Sequence, residues 1–439
     1  MPKSSGTRPT DAARAALTRR RLLQTAAIVV PGAMVLGACA RATDTTTSAV
    51  PDSTASASAS ASASPSATGL QIASPETPVK WPIAPGNEPI AAGLKPEQNS
   101  VLRLYNYADY LNPDVIKSFE KKYADSGVTV ELSTFNDIPE ALTKIRNAGS
   151  EFDIFFPSYD SIGKLVLGGL VRPLQHSYIP NIVNVYPEFQ DPFYDLEWQY
   201  TVPYTLYTTG IGWRSDLVSE DIGALSNPYD VFWDPQYRER LAVLDDYREV
   251  IGMTLLRNGS TNINTDDDIL LNAARDAMLD MNDATKPRVT ISGYTEIPEG
   301  RLDISQAWSG DLIIGSNYYL PEGVSSDVLR YWFPQDGKGV VNNDICVLLK
   351  GGQSPVLAHL FMNHLLDSTT SMDNFLYTGY QPPQITISPE SLVSDGVIPP
   401  TLKDAVVLPG YFKTGYRSLE LPPETNAKYL AIWQQFKAG

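Results

Sequence analysis

The stretch LAVLDDYREV, residues 241–250, joins a short apolar run to a pair of acidic residues and then to a second apolar run. Its pattern predicts the end of a buried strand, a tight turn and the start of a helix. Asp246 and Glu249 have the spacing of a capping box, in which side chains bind backbone N–H groups of the first helical turn. A second interpretation places both carboxylates at the mouth of a cleft, where they receive a cation. The two interpretations are compatible, because a helix N-terminus favours ionised carboxylates.

The composition limits the classes of function. With 439 residues, 43% of them hydrophobic, the chain can form one large two-lobed unit or two domains. Its net charge is −16, and residues 1–40 are basic, so the rest of the chain is strongly acidic. This argues against nucleic acid, because phosphate binding needs clustered Lys and Arg. With three histidines, two cysteines and no motif for a nucleophile or a phosphate loop, we expect no metal and no cofactor.

Residues 1–39 have the pattern of an export signal. Three arginines at 19–21 precede an apolar run at 22–36, which is typical of a secretory signal rather than a membrane span. The paired arginines look like a twin-arginine signal, and the sequence LGAC that ends at Cys39 resembles a bacterial lipobox. We therefore expect cleavage before Cys39 and lipidation of its sulfur. Cys346 then has no intrachain partner and is expected to be a buried free thiol.

Residues 40–97 are predicted to form a disordered tether. The first part alternates Ser and Ala and is too poor in apolar residues to fold, while prolines recur in the second part and stiffen it. The prediction is a globular body held off the outer face of the cytoplasmic membrane, with the lipid anchor as its only membrane contact.

The body begins with alternating strand and helix patterns. Strands are predicted at 101–105, 128–135 and 152–156, with helices beginning near Asn112 and at 138–148 between them. This order predicts an α/β fold with a parallel sheet. In such sheets ligands bind beyond the carboxyl ends of the strands.

Residues 99–439 resemble the extracytoplasmic solute-binding proteins of polyamine ABC importers, the spermidine- and putrescine-binding group. The order and spacing of several short motifs carry the resemblance. They are YNYADY (105–110), DIFFPS (153–158), VPY (202–204), WDPQY (233–237), LDDYREV (244–250), EG (299–300), WSGD (308–311), ND (343–344) and TGYQP (378–382).

The resemblance implies a periplasmic-binding-protein-like fold of type II, in which two α/β lobes close over a ligand by a hinge motion. Lobe 1 is predicted to contain residues 98–205 and 337–378, and lobe 2 residues 206–336 and 379–439. The ligand-binding positions that the resemblance implies are Tyr107, Asp109, Tyr110, Ser158, Asp246, Glu249, Trp308, Asp311, Asp344 and Tyr380.

These residue types suit a polyamine. Each ammonium needs acceptors that offset its desolvation, and carboxylates do this best. The methylene chain packs against aromatic faces, which also attract cations. Two positions depart from the family pattern: Asn342 stands where an aromatic is usual, and Asp160 stands where binders of longer polyamines tend to have one. Asp160 either receives a third amine or faces solvent.

Three functions remain in competition. The first is a monomeric lipoprotein that captures putrescine or spermidine and delivers it to the permease of an ABC importer, with no catalysis. The second, within the same class, is a binder of another small cation or of a sugar-like solute. The third is a secreted hydrolase that uses Asp246 and Glu249 as a carboxylate pair.

Overall fold

The computed structural model describes residues 71–148 and 152–439. The described residues form one mixed sheet surrounded by helices and short 3-10 turns. The strands are β1 (Val101–Tyr107), β2 (Thr129–Phe135), β3 (Ile154–Phe155), β4 (Thr201–Arg214), β5 (Leu241–Val243), β6 (Arg288–Val289), β7 (Ile304–Trp308), β8 (Leu329–Trp332) and β9 (Val340–Leu348). The helices are α1 (Pro113–Lys122), α2 (Ile138–Ala148), α3 (Ile162–Leu167), α4 (Tyr247–Arg257), α5 (Asp268–Thr285), α6 (Gly293–Glu296), α7 (Ser309–Tyr318), α8 (Pro355–Leu365), α9 (Ser368–Thr378), α10 (Pro389–Ser394), α11 (Tyr411–Thr414) and α12 (Pro423–Ala438).

Two parallel groups of strands flank a central antiparallel pair. The order is β2-β1-β3-β9-β4-β7-β5-β6, with β8 also pairing with β4. The pairs of β1 with β2 and β3, and of β5 with β6 and β7, are parallel, whereas β4 and β9 are antiparallel to each other and to their other neighbours. Both central strands are buried along their whole length. Their polar residues are therefore buried as well, among them Asn342, Asn343 and Asp344 of β9.

The predicted strand and helix order in the first part of the body is confirmed. Helix α1 begins at Pro113, and the side chain of Asn112 caps it by accepting a hydrogen bond from the N–H of Asp114. Helix α2 spans the predicted residues, and the β1–β2–β3 pairing is parallel. β3 is shorter than predicted, because only Ile154 and Phe155 pair with the strands beside it.

The hydrophobic core is divided among several clusters. One cluster joins β5 and β7 to the apolar faces of α4, α5 and α12. The others pack around β1, β3 and β9 and around α1, α8 and α9. The exact division of the chain into two lobes remains a prediction.

The predicted tether is wrong for its last part. Residues 71–97 contain no helix or strand, but Val79 and Trp81 are buried, and the Trp81 indole donates to the carbonyl of Tyr194 at 2.7 Å. Both carboxylate oxygens of Glu97 accept backbone N–H groups at the start of α8, at 2.9 Å each. The prediction failed because a few apolar side chains are enough to anchor an irregular segment when they pack into pockets on the surface of the folded domain. Residues 1–70, with the predicted signal, Cys39 and most of the tether, lie outside the described residues.

The structure also places one cysteine and two histidines. Cys346 is buried and free, as expected. His359 and His364 are both buried, and each has a structural hydrogen bond: His359 Nδ1 to the Pro355 carbonyl and His364 Nε2 to the Ser118 hydroxyl. Within residues 71–148 and 152–439, no helix is both long and apolar enough to span a bilayer. The same residues contain no group of three His, Cys, Asp or Glu side chains placed to hold a metal ion.

Candidate ligand-binding site

Polar and aromatic side chains gather where strands of the two parallel groups end. Tyr107 ends β1, Ser158 follows β3, and Trp308 ends β7. Asp344 lies in the middle of β9, opposite Thr205 of β4. Carboxyl ends of parallel strands are the usual position of ligand sites in α/β sheets.

The Asp344 carboxylate is held by two hydroxyl groups. Ser158 donates to Oδ1 and Tyr110 to Oδ2, both at 2.8 Å, and the Tyr110 hydroxyl also lies 2.5 Å from Thr205 Oγ1. The residue is only 5% exposed. Burial raises its pKa to about 7, although the two hydroxyls partly offset the effect.

Asp311 occupies the first turn of α7, close to the ring of Tyr380. The Tyr380 hydroxyl donates to Asp311 Oδ1 at 2.9 Å, and the Tyr380 ring packs edge-on against Tyr110 with centroids 4.9 Å apart. Burial raises the pKa of Asp311 to about 7, partly offset by the Tyr380 hydroxyl. Tyr380 thus links the Asp311 and Asp344 carboxylates into one cluster.

The motif LDDYREV (244–250) supplies acidic residues next to the second parallel group of strands, β5, β6 and β7. Asp246 caps α4, because its side chain accepts the N–H groups of Arg248 and Glu249. The reciprocal bond of a capping box is absent here: Glu249 Oε1 instead accepts the indole N–H of Trp308 at 3.3 Å. Burial, followed by repulsion from Asp246, raises the pKa of Glu249 to about 8, and the Trp308 bond opposes this. Within this motif, Asp246 therefore caps the helix, whereas Glu249 belongs to the candidate site.

None of the carboxylates of Glu249, Asp311 and Asp344 has a Lys or Arg in ion-pair contact among the described residues. Each is at most 5% exposed. Glu249 Oε2 and Asp311 Oδ2 are buried and have no hydrogen-bond partner within the same residues. Buried carboxylates without a cation are costly to ionise, so this group of carboxylates favours a positively charged ligand.

Aromatic rings lie between the acids, and one of them was not predicted from the sequence. Tyr107 packs edge-on against Tyr110 at 5.8 Å. Tyr207 of β4, which was not among the predicted residues, lies 6.0 Å from the Tyr380 ring and 6.4 Å from Trp308. Burial raises the pKa of the Tyr207 hydroxyl, followed by the charges of Asp344 and Glu249, so the ring lies within reach of both acids.

Strand β4 sets the spacing of the site. Thr205 pairs with Asp344 and Thr209 with Trp308, and Tyr207 stands between them on the same face, since side chains alternate along a strand. Four residues of strand span about 13 Å. This alternation in the TVPYTLYTT segment is the signal by which Tyr207 was recognisable in the sequence.

Asn342 and Asp109 complete the comparison with the predicted site. Asn342 pairs with Tyr207 across the β4–β9 ladder and is buried, and its amide oxygen accepts from the Tyr159 hydroxyl and the Ser418 N–H. Asn342 therefore holds the chain near Ser418, and Tyr207 supplies an aromatic ring beside it. Asp109 is half-buried in the turn between Tyr107 and Tyr110, with a left-handed φ of 58°.

Gly310, between Trp308 and Asp311, allows the Tyr380 ring to approach α7. A Cβ at this position would lie 2.5–2.7 Å from three carbons of the ring. We expect Gly310→Ala to displace Tyr380 and to lower the free energy of unfolding by about 1–3 kcal/mol, as overpacking typically does. Chemical denaturation measures the change.

Gly410→Ala is the matched control, because no atom lies within 4 Å of its Cβ position and its φ of −60° suits alanine. Its unfolding free energy is expected to stay the same or rise by up to about 1 kcal/mol. Equal losses in both variants would show that Gly310 does not serve the close approach of Tyr380.

Comparisons with known proteins agree with this geometry. Residues 106–251 match the family model of the bacterial extracellular solute-binding proteins. A spermidine/putrescine-binding periplasmic protein of Haemophilus influenzae is 23% identical, over 69% of this chain and 81% of its own length. The putrescine-binding periplasmic protein SpuD of Pseudomonas aeruginosa is 25% identical, over 80% of this chain and 95% of its own. These relatives are solute-binding proteins rather than enzymes.

The fold has close counterparts among solved structures. A putative spermidine/putrescine ABC transporter protein of Listeria monocytogenes superposes with a TM-score of 0.64 and 25% identity, covering 77% of this chain and 98% of its own. The fold class predicted from the sequence is thereby confirmed. The chain has a periplasmic-binding-protein-like fold, and its named relatives are spermidine- and putrescine-binding periplasmic proteins.

Proposed function

We propose that this protein is the substrate-binding lipoprotein of an ABC importer, and that it captures a polyamine in the site described above and delivers it to a membrane permease. The observation that carries the proposal is the set of three buried carboxylates, Glu249, Asp311 and Asp344, which have no ion-pair partner among the described residues. A polyamine supplies the missing positive charges at separate points.

The acids lie in two groups with aromatic rings between them. Asp344 and Asp311 are joined through Tyr110 and Tyr380, and Glu249 is bound to Trp308. Ammonium ends receive charge-assisted hydrogen bonds at the two groups, while the methylene chain crosses the rings between them. Ser158 orients the Asp344 carboxylate, and Asp246 positions Glu249 by capping α4.

The rest of the proposal concerns the export and anchoring of the protein and the delivery of its ligand. The proposal includes export by the twin-arginine route and lipidation of Cys39, which the arginines at 19–21 and the LGAC sequence that ends at Cys39 support. It also includes action as a monomer at the outer face of the cytoplasmic membrane. Closure of two lobes about the crossing strands retains the ligand, and opening at the permease releases it. The periplasmic location of the named relatives supports an extracytoplasmic site of action.

Isothermal titration calorimetry of the full-length protein tests the ligand class. We expect binding of putrescine or spermidine at micromolar or lower concentrations and none of 1,4-butanediol, which has the same length as putrescine without its charges. Absence of heat with both amines, or equal binding of the diol, contradicts the proposal. Binding of a sugar in place of the amines supports the alternative of a sugar-like solute.

A further inference from the structure

Residues 416–420, with the sequence YRSLE, run from the side of β9 to the helices that cover the second parallel group of strands. Tyr416 lies beside β9, because its N–H donates to the Gly339 carbonyl at 2.8 Å and its carbonyl accepts the N–H of Val341 at 3.0 Å. Shortly after residue 420 the chain enters α12, which packs against α4 and α5. We call residues 416–420 the linking segment.

One side of the linking segment is bound to β9 and to the turn after β3. The Asn342 amide oxygen accepts the Ser418 N–H at 3.1 Å, and the Tyr159 hydroxyl donates to the Ser418 carbonyl at 2.6 Å. Arg417 donates to the Asn343 amide oxygen at 2.6 Å. Asn343 and Tyr159 directly adjoin residues of the candidate site in the chain, so this side of the segment is fixed to the Asp344 group of acids.

The Arg417 side chain anchors the linking segment among aromatic rings. Its guanidinium carbon lies 4.3 Å from the centroid of the Tyr159 ring, 4.9 Å from that of Phe412 and 5.4 Å from that of Phe193. Arg417 is 9% exposed, and no Asp or Glu is in ion-pair contact with it among the described residues. Stacking and a hydrogen bond therefore hold the planar guanidinium in one orientation.

The other side of the linking segment is bound to the start of α4. Arg248 donates to the Leu419 carbonyl at 2.8 Å and to Asn264 Oδ1 at 2.5 Å. Asn264 in turn accepts the Leu419 N–H at 2.9 Å and donates to the Arg417 carbonyl at 2.8 Å. Because Arg248 directly precedes Glu249, these bonds tie the helical turn that carries Glu249 to the segment.

We propose that the linking segment sets the distance between the two acidic groups of the candidate site. Its positioning residues are Asn342, Arg417, Arg248 and Asn264. The inference rests on the proposed function and adds to it residues that act through the segment rather than by touching the ligand. Charge-assisted hydrogen bonds are strong only over a narrow range of distances, so a fixed spacing of the acids selects ligands by the separation of their two amines.

The linking segment also explains why Asn342 departs from the family pattern. An aromatic ring at this position would provide another wall for the ligand, but it has no amide oxygen to accept the Ser418 N–H and the Tyr159 hydroxyl. Asn342 holds the segment instead, while Tyr207, its partner across the β4–β9 ladder, supplies a ring.

Calorimetric titration of the full-length protein with 1,3-diaminopropane, putrescine, cadaverine and 1,6-diaminohexane tests the inference. We expect the wild-type protein to bind one diamine at least about tenfold more tightly than those one methylene shorter or longer, as one methylene typically does in a fitted pocket. Asn264→Ala removes the bonds on the α4 side and is expected to reduce this ratio to about threefold or less, because the acids are then less preorganised.

Asn342→Ala releases the β9 side of the linking segment and is expected to reduce the ratio to the same extent. The double variant should lose no more than either single variant, because release of one side already uncouples the acids. Independent structural losses would instead add. Melting curves show that each variant folds.

Asn227→Ala is the matched control. Asn227 is half-buried like Asn264 and also bonds a chain end of α4, since it donates to the carbonyl of Arg257, the last residue of that helix, at 3.0 Å. We expect this variant to melt at a lower temperature but to keep the wild-type ratio, because it leaves the linking segment intact.

Four results would overturn the inference. They are a wild-type protein with no preference for diamine length, a wild-type ratio in either single variant, additive losses in the double variant, and the same loss of ratio in Asn227→Ala. In each case the diamines still bind, and the proposed function stands. A wild-type protein that binds neither these diamines nor spermidine rejects the proposed function as well.

Discussion

Asp344→Asn is expected to weaken polyamine binding by at least about 30-fold. The substitution keeps the size of the side chain but removes a charge that is 5% exposed and held by Ser158 and Tyr110. Removal of one member of a buried, hydrogen-bonded charge pair typically costs about 2–5 kcal/mol. Calorimetry measures the dissociation constant, and thermal melting shows whether the unliganded protein keeps its stability.

Asp245→Asn is the control for the change in net charge. Asp245 neighbours Asp246 in the opening motif, but its side chain is 48% exposed and forms a surface ion pair with Lys437 at 3.3 Å. Exposed pairs contribute little to stability, so we expect this variant to bind and melt like the wild-type protein. A loss below threefold in Asp344→Asn, or equal losses in both variants, would contradict the role given to Asp344.

Polyamine binding is expected to release protons and to weaken as the pH falls from 8 to 6. In the unliganded protein, burial raises the pKa of Asp311 and Asp344 to about 7 and, with repulsion from Asp246, that of Glu249 to about 8. A cation binds the ionised forms, so it lowers these pKa values and displaces the protons. Each proton released makes the affinity fall about tenfold per pH unit, or 1.36 kcal/mol.

The same shifts fix how the stability of the unliganded protein depends on pH. The folded protein keeps these carboxyls protonated up to about pH 7–8, whereas the unfolded chain loses the protons near its ordinary Asp and Glu pKa values of about 4. The folded state thus binds more protons between these limits, and its stability falls as the pH rises through them. The effect is absent below about pH 4.

Titrations in two buffers of different ionisation enthalpy measure the proton release at pH 7, and melting curves from pH 5 to 8 measure the stability. Glu249→Gln and Asp344→Asn should each reduce the number of protons released. Binding that is independent of pH between 6 and 8, without proton release, would show that these acids do not meet the cation.

Local patterns in the sequence were sufficient to predict the start of the fold. The Asn-Pro-Asp start of α1 and the Asp246 cap of α4 rest on contacts within a few residues, and both are present. The parallel β1–β2–β3 arrangement follows from strand and helix order. The type II fold and the positions of the site residues required the resemblance to a family, because strands β7 and β9 come from distant parts of the chain.

Other features depend on contacts that no local pattern encodes. Tyr207 belongs to the site because β4 pairs with both β7 and β9, which brings its ring between Trp308 and Tyr380. Trp81 is buried because the body provides a pocket for it and a carbonyl acceptor at Tyr194.

The most direct measurement is a crystal structure of the protein with spermidine. We expect one ligand in the site, with one amine nitrogen about 2.7–2.9 Å from an Asp344 oxygen and another at the same distance from Glu249. The methylene chain should cross the rings of Tyr207 and Trp308. A ligand bound outside this site, or one whose amines contact neither carboxylate, would contradict the proposal that the buried acids of this fold bind a polyamine.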